Sequence, residues 1–165
     1  MKLFCTLFIA LLVSINANAS AMAADNEARL AELDRYWAEV ARAVREGDFE
    51  GYKATCHNEG VLVSGEKKHS EPLSDALIRW EKDFASTKSG KLMATVEFRF
   101  SQRLSGSTTA HETGIFCYST ADSEGKRRDE YIHFEGLLVK KDGKWKILME
   151  YQKSKASFDE WKALE

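Results

Sequence analysis

The spacing of apolar residues changes near the middle of the chain, from a helical period to a strand period. One apolar stripe in the first half recurs every three or four residues and predicts an amphipathic helix: Leu30, Leu33, Trp37, Val40, Ala41 and Val44. Asp25 or Asn26 is the expected cap of this helix. We expect a short helix at residues 49–56, a buried strand at 61–63 and a third helix that opens at Pro72.

The second half carries four β-rich runs, at residues 91–103, 108–121, 128–141 and 144–153. The last two runs flank Asp142-Gly143, which predicts a two-residue hairpin turn, and the first two flank Ser105-Gly106. Helices that are followed by a large antiparallel sheet define an α+β fold. We expect a single domain over residues 24–165.

Two-residue turns fix which side chains share a face of the sheet, because cross-strand partners point the same way. The pairing around Asp142-Gly143 predicts one large apolar face: Phe134, Leu138, Trp145, Ile147, Met149 and Tyr151. On the opposite face it sets Glu135 against Glu150. The pairing around Ser105-Gly106 predicts an Arg99–Glu112 ion pair on the other side. To the apolar face it adds four cross-strand pairs: Phe100 with His111, Phe98 with Thr113, Val96 with Ile115 and Ala94 with Cys117.

Residues 1–23 have the pattern of a secretory signal peptide. Lys2 precedes an apolar run at residues 3–15, which is too short to span a bilayer. Two Ala-x-Ala sites end at Ala19 and Ala23. We therefore expect cleavage between these two residues, a periplasmic or secreted location, and no membrane association after cleavage.

Charge and motif content narrow the possible functions. The chain has 24 Lys and Arg against 26 Asp and Glu, a net charge of −2, which does not favour nucleic acid or an anionic membrane as a partner. No phosphate-binding loop, His-Glu-x-x-His motif or metal-spaced Cys/His cluster occurs, so we expect neither a cofactor nor a metal. Cys56 and Cys117 either form a disulfide, which export permits, or remain buried thiols.

Several short segments occur in a characteristic order: Leu33-Asp34-Arg35-Tyr36-Trp37, then Arg45-Glu46-Gly47-Asp48, then the closing hairpin Lys141-Asp142-Gly143-Lys144-Trp145. This order resembles the nuclear-transport-factor-2-like superfamily, and within it the SnoaL-like proteins of unassigned function. The resemblance implies a cone-shaped α+β fold in which a curved mixed or antiparallel sheet wraps around three N-terminal helices and leaves a concave pocket. Relatives include ketosteroid isomerase, scytalone dehydratase, polyketide cyclases and domains that only dimerise through the convex sheet face.

The first functional hypothesis is an exported pocket protein that binds a small apolar or aromatic molecule without an assigned reaction. The candidate pocket residues come from the first two helices and from the apolar face of the sheet: Tyr36, Trp37, Tyr52, Phe98, Phe134, Leu138, Trp145, Ile147 and Tyr151.

Two alternatives remain open at the level of sequence. An acid–base enzyme of the isomerase, dehydratase or cyclase type would use His111 as its base and a tyrosine hydroxyl as its acid. An assembly module would instead form a homodimer through the second face of the sheet. The candidate residues of that dimer face are His133, Glu135, Leu137, Leu148 and Glu150.

Overall fold

The computed structural model describes the backbone of residues 4–165 and the side chains from residue 24 onward. The helices are α1 (Phe4–Glu46), α2 (Phe49–Ala54), α3 (Leu73–Lys88) and α4 (Phe158–Lys162). The strands are β1 (Cys56–Ser64), β2 (His69–Pro72), β3 (Leu92–Ser105), β4 (Thr109–Asp122), β5 (Arg127–Lys141) and β6 (Lys144–Lys155). The predicted signal segment, residues 1–23, lies outside the described side chains.

One mixed sheet holds all six strands in the order β2-β1-β6-β5-β4-β3. β1 runs parallel to β6, and every other neighbouring pair is antiparallel. The sheet is curved and does not close, and α1 and α3 pack on its concave face. The predicted α+β fold with a curved sheet around N-terminal helices is confirmed.

Three local predictions about elements are wrong. Cys56, the expected end of the second helix, begins β1, which is much longer than the strand predicted at residues 61–63. α1 continues through Asp25 and Asn26, so neither residue caps it. The strand β2 was not expected, because its sequence His69-Ser70-Glu71-Pro72 is short and polar; it pairs with β1 at the edge of the sheet. No helix of the described residues is long and apolar enough to cross a membrane.

The core lies between the helices and the concave face. Its largest fully buried apolar side chains are Leu33 on α1, Leu73 on α3, and Phe134 and Leu138 on β5. Burial of each such side chain stabilises the fold by about 1.5–3 kcal/mol. The helical stripe read from the sequence therefore faces the concave side of the sheet, as its spacing predicts.

The β3–β4 hairpin differs from the predicted pairing in two ways. Ser105 pairs with Ala110, so the loop is four residues long and not two. A bulge between Phe100 and Gln102 then shifts the register by one residue, and Phe100 lies opposite Gly114. A side chain at this glycine would collide with the backbone of β3, so Gly114 permits the close approach at the bulge.

This register reverses the face assigned to the odd-numbered residues of β4. Cys117 pairs with Glu97 instead of Ala94, and His111 pairs with Leu104 instead of Phe100. Both residues therefore lie on the convex face, and the predicted Arg99–Glu112 ion pair is replaced by one between Arg103 and Glu112. Of the two alternatives for the cysteines, the disulfide is wrong for the same reason. Cys56 belongs to the concave core and Cys117 to the convex side, and both are free, buried thiols.

The β5–β6 hairpin follows the prediction only near its turn. Lys140 pairs with Trp145 and Leu138 with Ile147, as expected. A bulge at Leu148 then shifts the register, so that Glu150 lies opposite Gly136 and not opposite Glu135. The predicted pair of opposed carboxylates therefore does not exist.

The helix α4 covers part of the convex face. Trp161 is buried against Ile115 and Cys117, and the Arg99 guanidinium lies 4.1 Å from its ring centre. Ser157 and Glu160 form a reciprocal capping box at the start of this helix. The packing of α4 gives the convex side a small apolar cluster separate from the main core.

Candidate ligand-binding cavity

A cavity of about 710 Å³ opens between the helices and the concave face of the sheet. Its inner wall is aromatic and aliphatic, with side chains from α1, α2, α3 and four strands: Tyr36, Trp37, Val40, Tyr52, Trp80, Phe84, Ala94, Val96, Phe98, Phe116, Tyr118, Phe134 and Ile147. A volume of this size is in the range of small-molecule sites in proteins.

Six of the predicted pocket residues line this cavity: Tyr36, Trp37, Tyr52, Phe98, Phe134 and Ile147. Leu138 and Trp145 are instead packed in the core beyond it. Tyr151 lies on the convex face opposite Glu135, because the Leu148 bulge turns it away from the cavity.

Aromatic rings fix the shape of the cavity by contacting one another across element boundaries. The rings of Trp37 and Phe98 are 4.4 Å apart, and those of Phe98 and Phe134 are 5.7 Å apart. On the helical side, the Tyr52 ring lies 5.0 Å from Phe84 and 6.1 Å from Trp80. Edge-to-face and tilted ring pairs add to the stability gained from burial, so these walls are preformed.

Glu150 is the one carboxylate set among these apolar walls. Its Oε1 accepts a 2.7 Å hydrogen bond from Nε2 of Gln152, the next residue of β6 on the same face. Burial raises the pKa of Glu150 above its usual value, and the bond from Gln152 only partly opposes this. The predicted dimer-face role of Glu150 is wrong, since its side chain lines the concave cavity.

Three further ionisable groups stand close to Glu150. Burial raises the pKa of both Tyr36 and Tyr52 well above the ordinary value, and the charge of Glu150 adds to the rise. Burial also raises the pKa of Cys56 to about 12. The Tyr36 hydroxyl donates a 3.3 Å hydrogen bond to the carbonyl of Thr55. These groups are therefore neutral at physiological pH.

The mouth of the cavity is polar and carries charges of both signs. Arg79 on α3 makes a bidentate ion pair with Glu71 on β2, with distances of 2.6 and 2.7 Å. The other charged or titratable side chains of the mouth are Glu66, Lys67, His69, Asp83, Glu130 and Lys155. The cavity thus has an apolar interior and a wet entrance, which suits a molecule with an apolar body.

His111, the predicted base, lies outside the cavity on the convex face. Its Nε2 is 3.2 Å from a carboxylate oxygen of Glu135, whose other oxygen accepts a 2.7 Å bond from Nζ of Lys153. The prediction that His111 points into the pocket is therefore wrong, because the bulge between Phe100 and Gln102 on β3 reverses the face of the odd-numbered residues of β4. His133 likewise lies on the convex side and contacts Glu160 of α4 at 3.2 Å.

Only some of the residues predicted for the dimer face lie on the same side of the sheet. Glu135, His133 and Leu137 share the convex face, while Leu148 is the extra residue of the β6 bulge. Around Leu137 the sheet carries an apolar patch that the α4 cluster does not include: Val61, Val63, Leu137, Met149 and Tyr151, called here the convex patch. Met149 pairs with Leu137 on one side and with Val61 on the other.

Sequence reasoning missed Glu150, Gln152 and Arg79 as cavity residues. The signal for the first two was present, because a Glu and a Gln two positions apart share one face of a strand. The predicted register of the β5–β6 hairpin placed that face on the convex side of the sheet, away from the cavity. Arg79 had no signal of its own, since its partner Glu71 lies on the strand that was not predicted. Among the described residues, no cluster of His, Cys, Asp and Glu has the geometry to hold a metal ion.

The fold and its cavity define a nuclear-transport-factor-2-like domain. The calcium/calmodulin dependent protein kinase II association domain family matches residues 29–157. The chain belongs to this family, which is part of the superfamily that the sequence resembles. No curated protein sequence matches the chain.

Solved structures share this fold at low sequence identity. A conserved protein from Planctomyces limnophilus matches with a TM-score of 0.65 and 11% identity, over 76% of this chain and 94% of that one. The association domain of C. elegans CaMKII matches with a TM-score of 0.57 and 15% identity, over 78% and 97%. A ketosteroid isomerase-like protein from Erwinia carotovora atroseptica matches with a TM-score of 0.56 and 17% identity, over 78% and 96%.

Proposed function

We propose that this protein is a self-associating binding domain whose concave cavity takes up a small molecule with an aromatic or apolar body. The observation that carries the proposal is the cavity of about 710 Å³ with preformed aromatic walls. The core packs around this space without filling it. An apolar ligand that enters gains burial of its surface against rings that are already in place.

A cavity-filling substitution tests this binding. Val96 is 9% exposed and belongs to the cavity wall, so Val96→Trp should occupy the space that a ligand needs. The matched control is Ile78→Trp on α3, because Ile78 is 72% exposed and does not line the cavity. Both variants and the wild type are titrated with indole and anthracene derivatives in a thermal-shift assay, with circular dichroism to verify folding.

Binding to the native state raises the melting temperature, and a ligand at a hundred times its Kd adds about 2.7 kcal/mol to stability. We expect this rise for the wild type and for Ile78→Trp, and its loss in Val96→Trp. If Val96→Trp does not fold, Val96→Phe fills less of the space and gives the same comparison. An unchanged shift in a folded Val96 variant, or no shift with any probe, contradicts the proposal.

Self-association is proposed through the convex patch. Its five apolar side chains lie on three adjacent strands, and they form a surface that a symmetric partner would bury. The family to which the chain belongs is described as an association domain. Sedimentation velocity over a range of concentrations should give a homodimer for the wild type.

A charge placed in the patch tests which surface forms that dimer. Leu137→Lys should shift the equilibrium to monomer, because a desolvated ammonium at the centre of an apolar interface is unfavourable. Ile78→Lys is the control, since Ile78 is 72% exposed on α3, which packs on the concave side of the sheet. A monomeric wild type, or a dimer that persists in Leu137→Lys, contradicts this assignment.

Export is proposed for residues 1–23, on the basis of the short apolar run and the two Ala-x-Ala sites. Mass spectrometry of the protein recovered from the periplasm or medium should show an N-terminus directly after a residue between Ala19 and Ala23. An intact protein that retains Met1 and stays in the cytoplasm contradicts the proposal.

A further inference from the structure

The carboxylate of Glu150 is incompletely paired within the cavity. One oxygen accepts the hydrogen bond from Gln152, and the described part of the chain supplies no hydrogen-bond donor to the other, Oε2. Glu150 is half-buried, and a carboxylate that is partly removed from water normally has its lone pairs satisfied by donors or by a cation. The free oxygen faces a space large enough for a ligand, so a ligand is the group that can complete its bonding.

The cavity provides no positive charge of its own near this carboxylate. Gln152 is the one side chain of the described residues that favours the ionised form of Glu150. The basic residues of the cavity stand at its mouth, where Arg79 is already paired with Glu71. Lys155 lies five residues further along β6, roughly 16 Å at the usual rise of a strand. Within the described residues, no basic side chain therefore pairs with Glu150.

Aromatic rings surround the same part of the cavity. The Tyr36 and Tyr52 rings both lie close enough for the charge of Glu150 to act on their hydroxyls. Trp80 and Phe84 contact Tyr52 and extend this wall. The faces of Tyr, Trp and Phe rings attract organic cations, and the attraction grows where water is excluded.

Building on the proposed binding function, we infer that the cavity selects protonated amines with an aromatic body, whose ammonium group donates a hydrogen bond to Oε2 of Glu150. The ammonium supplies the donor and the charge that the site lacks, and the apolar body fills the aromatic interior. Alcohols of the same shape supply a donor without the charge. Carboxylates of the same shape bring a second negative charge beside Glu150 and should bind least well.

Calorimetry with matched probes tests this selectivity. The probes are tryptamine, indole-3-ethanol and indole-3-propionate, and a larger set made of 9-anthracenemethylamine, 9-anthracenemethanol and 9-anthracenecarboxylate. We expect the wild type to bind each amine at least tenfold more tightly than the alcohol on the same body. Glu150→Gln, which keeps the shape but loses the charge, should bring the ratio close to one.

Glu97→Gln is the control for net charge, because Glu97 is exposed and pairs with Cys117 on the convex side. It should keep the wild-type preference for amines. If amines and alcohols bind the wild type equally and Val96→Trp abolishes both, the amine inference fails and the binding function stands. Tighter binding of the carboxylates also overturns the inference. If no probe binds, both proposals fail, and the wild-type ratio is decisive even if Glu150→Gln does not fold.

Discussion

The indole nitrogen of Trp37 on α1 donates a 2.5 Å hydrogen bond to Glu112 on β4, a carboxylate with no exposed surface. The other oxygen of Glu112 accepts a bond from the guanidinium of Arg103. Arg103 in turn pairs with Asp34 on α1 at 2.5 Å. This network is buried at Glu112 and exposed at Asp34, and it joins the first helix to the β3–β4 hairpin at the opposite end of the concave face from the polar mouth. It therefore fixes the helix that forms one wall of the cavity.

Replacing Glu112 should be one of the most destabilising single changes in the chain. Glu112→Ala leaves Arg103 and the Trp37 indole without their buried partner, which should cost about 3–5 kcal/mol in the free energy of unfolding. Glu97→Ala on the exposed side of β3 should change it by about 0.5 kcal/mol or less. Urea denaturation measures both. A cost below about 1 kcal/mol for Glu112→Ala would show that the network does not hold the helix.

The raised pKa of Glu150 predicts a specific pH dependence of stability. A carboxyl with a higher pKa in the folded state binds more protons there than in the unfolded chain, so stability falls as the pH rises above the unfolded value, about 4.3. Glu150→Gln removes this fall. Its melting temperature relative to the wild type should therefore increase from pH 4 to pH 8, where Tyr36, Tyr52 and Cys56 remain neutral.

The matched variant for this measurement is Glu97→Gln, which removes one exposed carboxylate and leaves Glu150 in place, so the fall in stability caused by Glu150 should persist in it. Carboxyl groups elsewhere in the chain titrate equally in all three proteins, so they cancel in the comparison. A difference for Glu150→Gln that is flat with pH, or that shrinks as the pH rises, would contradict the predicted direction.

The two thiols predict a simple chemical assay. Because Cys56 and Cys117 are free, protein purified without reductant and then unfolded should give two reactive thiols per chain from this pair. In the folded state Cys56 should react with iodoacetamide roughly 1,000-fold more slowly than an exposed cysteine at pH 8, since a pKa of about 12 leaves little thiolate. Peptide mapping of the alkylated protein distinguishes the sites. If the unfolded, unreduced protein gives no reactive thiol from this pair, the two cysteines form a disulfide and the assignment of free thiols is wrong.

The helix α4 should stabilise the small apolar cluster around Ile115 and Cys117 mainly through one residue. Trp161 is 5% exposed and covers Ile115 and Cys117, so Trp161→Ala should cost about 3 kcal/mol in stability and should make Cys117 available to alkylation. Phe158→Ala is the control from the same helix, because Phe158 is 56% exposed. If Cys117 is alkylated equally fast with and without Trp161, α4 does not protect this face.

The helical stripe and the Asp142-Gly143 turn were predictable because each depends on a local rule. Leu33 and Val40 face the core as their spacing indicates, and Trp145 pairs with Lys140 as a two-residue turn requires. The bulges were not predictable, because apolar residues occur on both faces of the bulged strands. In β6, Ile147 and Leu148 fit an apolar face equally well, so alternation alone cannot reveal an inserted residue.

This ambiguity explains why the candidate site was only partly found. Side chains of the helices, such as Tyr36 and Tyr52, were placed correctly, since the helical period determines their direction. Side chains whose face depends on a bulge were placed on the wrong face: Tyr151 follows the bulge in β6, and His111 lies on the strand that pairs with the bulged β3. The loop between Ser105 and Ala110 added a second error, because Ser-Gly is a weaker turn signal than Asp-Gly.

The single extra residue at Leu148 decides whether an acid or a thioether faces the ligand space. Without a bulge, the same sequence would place Met149 opposite Gly136 and Glu150 opposite Glu135, which would turn the thioether inward and the acid outward. Loss of the codon for Leu148 would only make the strand regular, since Met149 would still lie opposite Leu137 and Glu150 opposite Gly136. The acidity of the interior is thus encoded in the phase of the strand and not in its composition alone.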